Sequence, residues 1–254
     1  MAMFDLLPSL GIAVSVMDAV DNPLWVQSDA VCRLHMARSL EALRPFLEDP
    51  DAEGPRYPYH IYDDLSMRAD VSWMEQAGVQ FSLTVIAPGE LHREWMKTAG
   101  HFHRSSRRSR ALPEVVEVVR GTGHIALQLM RTSDRIAEIS LVSVQRGDWM
   151  VVPPGYGHIS INTSSSPLIV AHVRSRDIEL EYEEMARHRG AGYWVGPQGE
   201  RINSNYQEVP PLKRYLASQI FPRPFGNEGI YRAVRRHPEA FKFLWNPEIP
   251  VAWP

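Results

Sequence analysis

Between residues 56 and 173 the chain breaks into short apolar segments of strand length, separated by Gly, Pro, Asn and Ser. They fall at 57–62, 79–87, 115–119, 124–130, 138–144, 149–152, 158–161 and 168–173. In one of them Val79, Phe81, Leu83 and Val85 alternate with Gln80, Ser82 and Thr84, the period-two pattern of a strand with one buried face. Many short strands at regular spacing confine the fold to an all-β sandwich or barrel.

The flanks obey other rules. Residues 1–55 read as an N-terminal extension, in which Ser39 is placed to cap a short helix carrying Leu40 and Leu43 and running into Pro45. Residues 196–254 hold nine prolines and nine aromatics, with too few aliphatics for a core of their own. One helix is expected there, at 230–236, between Asn227 and Pro238. Phe241, Phe243, Trp245 and Trp253 give this C-terminal extension apolar surface to bury. It is therefore expected to lie on the β domain, residues 56–195, or on a second subunit. Open strand edges also need cover, and a homodimer is the expected assembly.

Lys and Arg number 27 against 30 Asp and Glu, a net charge of −3, so bulk electrostatics offers nothing to a nucleic acid or a membrane surface. The single cysteine, Cys32, excludes an intramolecular disulfide and any Cys-rich metal cluster. No Lys or Arg precedes the apolar run near the start, as a signal peptide would require. No apolar stretch reaches the ~20 residues of a membrane span. These readings point to a soluble, cytoplasmic protein.

The chemistry gathers in the β region. His101 and His103 are two apart, which on a strand puts both rings on one face, about 6–7 Å apart along the chain. Glu114 follows, and His158 comes after the turn Pro153-Pro154-Gly155. Three imidazoles and one carboxylate fill four positions around a divalent cation and leave two open in six-coordinate geometry. Fe²⁺, Mn²⁺, Ni²⁺, Co²⁺ and Zn²⁺ all suit such a mixed N/O set. The ion would act as a Lewis acid on a carbonyl or hydroxyl oxygen.

These residues resemble the cupin superfamily. Its second motif, Gly-x5-Pro-x-Gly-x2-His-x3-Asn, is met by Gly147, Pro153, Gly155, His158 and Asn162, and its first by His101, His103, Glu114 and Gly121. The first motif departs in the ten residues between His103 and Glu114, and in lacking a Gly six positions before His101. The resemblance implies a cupin fold, a jelly-roll-like β-barrel with the metal inside, here carrying extensions with short helices.

More narrowly the chain is similar to the cupin-type, archaeal glucose-6-phosphate isomerase family. Tyr59-His-Ile-Tyr62, Thr98-Ala-Gly100-His101-Phe-His103 and Pro153-Pro154-x3-His158-x3-Asn162 carry the likeness. It implies that His101, His103, Glu114 and His158 bind one divalent metal per subunit, Fe²⁺ foremost. It also implies that Tyr59, Thr84, Thr98, Gly100 and Tyr182 contact a sugar phosphate. The implied reaction interconverts glucose 6-phosphate and fructose 6-phosphate. Beside the open positions of the ion Glu114 is the candidate catalytic residue, as a proton shuttle, with a direct hydride shift under metal polarisation as the rival route. Two polar positions of the family are Val116 and Leu180 here. The arginine-rich stretch from Arg104 to Arg110 is longer than the family's equivalent, and reads equally as an anion contact and as a solvated loop. His124 and His172 are expected to be packed or exposed rather than ligands, and the run 179–184 to be the solvated start of a helix, Tyr182 apart. Another sugar, an Fe²⁺ oxygenase reaction, and metal or sugar binding without turnover are the alternatives at the same ligands.

Overall fold

The computed structural model describes residues 3–17, 22–105, 111–221, 225–246 and 248–249. Two six-stranded sheets dominate it. The first runs in the order Trp149–Val152, Glu114–Arg120, Leu168–Ser175, Val79–Ile86, Tyr59–Met67, Ala30–Arg38. The second runs Lys213–Leu216, Arg135–Gln145, Thr122–Thr132, Tyr156–Asn162, Glu94–Lys97, Glu90–Leu91. Pairing within each sheet is antiparallel, except that Lys213–Leu216 joins Arg135–Gln145 in parallel. Strand order differs from chain order, and the fold is all-β, as expected, with two sheets in a jelly-roll-like arrangement that, among the described residues, do not close into a barrel.

The strands form where the alternation foretold them. On Glu114–Arg120, Val116 and Val118 face the second sheet in one apolar cluster with Ile125, Leu127, Leu141 and Ile159. Val115 and Val119 of the same strand join a second cluster on the opposite face. Both faces are thus buried, and the strand reads as a near-continuous apolar run, as strands covered on both sides do.

Both extensions take part. Ala30–Arg38 forms an edge of the first sheet and Lys213–Leu216 an edge of the second. Ser39 caps Leu40–Leu43, its Oγ accepting from the Ala42 N–H at 3.2 Å. The expected C-terminal helix spans Ile230–Arg236 and buries Ile230, Tyr231, Ala233 and Val234. With Phe241, Phe243 and Leu244 it covers the outer face of the first sheet. Trp253 lies outside the described residues. The run 179–184 differs from expectation: Ile178–Glu181 pairs as a strand with Phe102–Ser105, and the helix begins only at Glu183. Pairing satisfies the backbone of a segment whose charges alone suggested solvent.

Candidate metal centre

The turn before His158 is dictated by its residues. Pro154 fixes the second position, Gly155 takes φ of 84°, and the Tyr156 N–H reaches the Pro153 carbonyl at 3.2 Å. That is a type II turn, in which glycine is favoured because φ is positive. It launches Tyr156–Asn162, and the Asn162 amide then donates to the carbonyls of Ile86, Ala87 and Ser166. His158 is fixed at both ends of its strand.

His101 lies directly against it, the two exchanging backbone hydrogen bonds of 3.3 and 3.0 Å. A Cβ on Gly100 would sit 2.6 Å from Ile159, so only glycine lets the segment approach this strand so closely. The rings of His101 and His103 have centroids 5.4 Å apart, and each lies 4.4 and 5.3 Å, respectively, from the ring of His158. Ligand atoms of the three histidines lie within 4.8 Å of one another. Glu114 enters from the first sheet, fully buried. Its Oε2 is 3.4 Å from His103 Nε2, and its Oε1 is 3.7 Å from His158 Nε2. The four residues predicted as ligands are brought together.

Their donor atoms fit a divalent cation. His101 Nε2, His103 Nε2, His158 Nδ1 and Glu114 Oε2 are buried without a hydrogen-bond partner, a condition that ordinarily costs about 1–3 kcal/mol for each group. His103 Nδ1 lies 3.3 Å from the Leu112 carbonyl. A protonated Nδ1 donates there, which turns Nε2 toward the Glu114 carboxylate, and in the neutral tautomer the two present lone pairs to a cation between them. Burial, reinforced by the neighbouring histidines, drives His101 well below its ordinary pKa, and burial likewise brings His158 down to about 3. Burial works the other way on Glu114, but His172, His103 and His158 outweigh it and hold the carboxyl well below the usual range. Neutral imidazoles and an ionised carboxylate are the protonation states that metal binding needs.

Two residues at the centre were missed by the sequence reading. His172 is packed, as expected, but against a ligand: its Nδ1 is 2.6 Å from Glu114 Oε1. Arg174 Nη1 lies 3.9 Å from Glu114 Oε2, while its other nitrogens bind Asp63 at 3.2 Å and Gln80 at 3.1 Å. The signal was present in the alternation. Ile169, Ala171 and Val173 turn to the outer cluster and Val170 to the inner one, so His172 and Arg174 are charged or polar residues on an inward face. His124 pairs with Ser143 at 3.2 Å, away from the centre.

A pocket opens beside the ligands. Tyr59, Thr84, Thr98 and Tyr182 line it together with His101, Glu114, His158, His172 and Arg174. Gly100 is not in the wall. The hydroxyl oxygen of Tyr59 accepts from the Ala99 N–H at 3.2 Å, and that of Thr98 from the Ser160 N–H at 3.1 Å. Each keeps its O–H free to donate, and burial raises Tyr59 to about 12, so it stays a phenol. Leu180 stands in the wall and Val116 in the core. Of the arginine-rich stretch, Arg104 is exposed and 3.6 Å from Glu181; residues 106–110 lie outside the described residues.

A family model for glucose-6-phosphate isomerase (GPI) matches residues 36–210. A glucose-6-phosphate isomerase of Pyrococcus horikoshii is 30% identical over 126 residues, covering 50% of this chain and 62% of its own length. One of Thermococcus litoralis is 27% identical over 155 residues, covering 59% and 74%. The chain thus spans less than two thirds of the length of the Pyrococcus relative. A solved oxalate oxidase overlaps 50% of this chain and 55% of its own at 16% identity with a TM-score of 0.38, too slight a likeness to bear on function.

Proposed function

The chain belongs to the glucose-6-phosphate isomerase family, and from that premise we propose that it is a metal-dependent aldose–ketose isomerase acting on glucose 6-phosphate and fructose 6-phosphate or a close relative. The observation that carries the reading is the convergence of ligand atoms of His101, His103 and His158 within 4.8 Å of one another, with the Glu114 carboxylate against His103 and His158, beside a pocket walled with hydroxyl donors. These four residues would hold one divalent ion, Fe²⁺ foremost, with Mn²⁺, Ni²⁺ or Zn²⁺ able to occupy the same set. Such an ion, when bound, supplies Lewis acidity toward a carbonyl or hydroxyl oxygen.

The chain's own residues do the rest. Glu114 takes a proton from one of C1 and C2 and returns it to the other, as base and then acid. His172 and Arg174 hold its carboxylate in register for both steps. Tyr59, Thr84, Thr98 and Tyr182 orient the sugar phosphate, and the Gly100 segment brings its backbone close. Leu180 in the wall favours a less polar contact at that point of the substrate than the family's usual residue gives. The same reading has the enzyme working as a homodimer in the cytoplasm. Among the described residues no helix is long and apolar enough to cross a membrane.

A coupled assay of iron- or manganese-loaded protein against a panel of sugar phosphates tests the proposal. Interconversion of an aldose and a ketose phosphate is expected, abolished by chelation and restored by the ion. No conversion across the panel, with metal content verified, would overturn it.

A further inference from the structure

The first sheet brings a cation from the N-terminal segment against two rings of the pocket wall. Ala30–Arg38 pairs antiparallel with Tyr59–Met67 in a register that sets Arg38 opposite Tyr59. Residues directly opposite across such a pair share a face, and Tyr59 faces the pocket. The Arg38 guanidinium carbon lies 5.9 Å from the centroid of the Tyr59 ring and 5.3 Å from that of Tyr182. Both rings line the cavity that holds His101 and Glu114.

Arg38 is held there without an anion. Its Nε is buried and has no hydrogen-bond partner. Other arginines of this sheet are answered: Arg174 by Asp63, and Arg33 by Glu75. Among the described residues no carboxylate pairs with Arg38. Its neighbours are two aromatic rings, whose faces attract a cation without neutralising it. A partly buried cation in that state favours whatever anion enters the pocket. Guanidinium suits phosphate best of the common anions, because its planar fork donates two parallel hydrogen bonds to two phosphate oxygens.

We propose that Arg38 receives the phosphate of the substrate and makes the site selective for phosphorylated over neutral sugars. The assignment rests on the sugar-phosphate reading of the pocket. It adds to that reading a charged anchor, supplied by a strand outside the central β region, where the hydroxyls of Tyr59, Thr84 and Thr98 offer only neutral donors. Arg174 cannot fill this role, since Asp63 and Glu114 already take up its charge.

Isothermal titration with metal-free protein tests the proposal without turnover and without phosphate settling on an ion. Inorganic phosphate and glucose 6-phosphate are titrated into the wild type, Arg38→Lys and Arg38→Met, with melting temperatures measured alongside. The Met variant should bind both ligands about 10- to 100-fold more weakly, as expected for loss of charge-assisted hydrogen bonds. The Lys variant should fall between, because the charge survives and the fork does not. In the metal-loaded enzyme the Met variant should raise KM far more than it lowers kcat. Binding by the Met variant within twofold of wild type would overturn the assignment, as would failure of the wild type to bind either ligand. Should the Met variant not fold, wild-type affinity in the Lys variant would count against a bidentate anchor. Arg38-dependent phosphate binding in a protein that isomerises nothing would overturn the isomerase reading and leave the anchor standing. Isomerisation with an unchanged KM in Arg38→Met would do the reverse.

Discussion

His158 carries its burial as a pH dependence. Its ring ordinarily takes a proton near pH 6.5, and burial in the folded chain brings that down to about 3. Between those values the unfolded chain holds a proton that the folded chain refuses, so this contribution to stability is complete above about pH 6.5 and drains away as pH falls toward 3. His101 and Glu114, both lowered, act in the same direction. The melting temperature of metal-free protein should therefore fall as pH is taken from 7.5 to 5, with a slope of up to about 1.4 kcal/mol per pH unit for each proton taken up. Metal binding by the folded chain should hold over that range and weaken only as pH nears 3, where protons compete with the ion for the nitrogen of His158. In His158→Ala the metal content should drop strongly and the pH slope should flatten. Full metal occupancy in that variant, read by elemental analysis, would remove His158 from the ligand set.

The C-terminal helix Ile230–Arg236 works at the scale of an element. Its first N–H groups lack intrahelical partners, and the buried Glu117 carboxylate accepts from the Ile230 N–H at 2.6 Å, as an anion at a helix start should. Tyr231 packs edge-on against Phe81 at 5.0 Å and binds Asp70 through its hydroxyl at 2.8 Å. Tyr231→Ala should destabilise the protein by about 3–5 kcal/mol in denaturant melts. Metal stoichiometry should stay unchanged, because the helix lies on the far face of the sheet from the histidines. This helix was legible in the sequence, because Asn227 and Pro238 bound it locally. The same holds for the Ser39 cap and for the turn that presents His158. Arg38, His172 and Arg174 were not legible as site residues. Alternation sets His172 and Arg174 on one face with Val170, but that this face turns inward, and that it meets Glu114, is fixed only by pairing with segments tens of residues away, as is the placing of Arg38. Ile178–Glu181 was misread for the same reason: a charged run becomes a strand when Phe102–Ser105 offers it a ladder.

At the scale of the whole molecule, Ala30–Arg38 ends the first sheet with one side of its backbone unpaired by any described strand. Leu34 on this edge and Trp25 before it remain more than half exposed, at 54% and 59%. An edge of nine residues carrying such side chains invites a partner. Light scattering at micromolar concentration should give the mass of a homodimer, and Leu34→Lys should shift it toward the monomer. A wild-type monomer would refute the assembly. The two ends of the chain also meet over the opposite face of this sheet: a Cβ on Gly229 would strike the backbone of Ser9 at 2.2 Å, and Leu10, Ile12, Ile230 and Phe241 share one apolar cluster with Trp149 and Val151. During synthesis, then, the strands that carry Glu114 and His172 leave the ribosome well before the C-terminal residues that roof their sheet. Until position 244 has emerged, the nascent chain exposes Val115, Val119, Ile169 and Val173, an apolar face ready to stick to its neighbours. A message truncated shortly before that point would encode every metal ligand and still yield a protein dependent on chaperones to stay in solution.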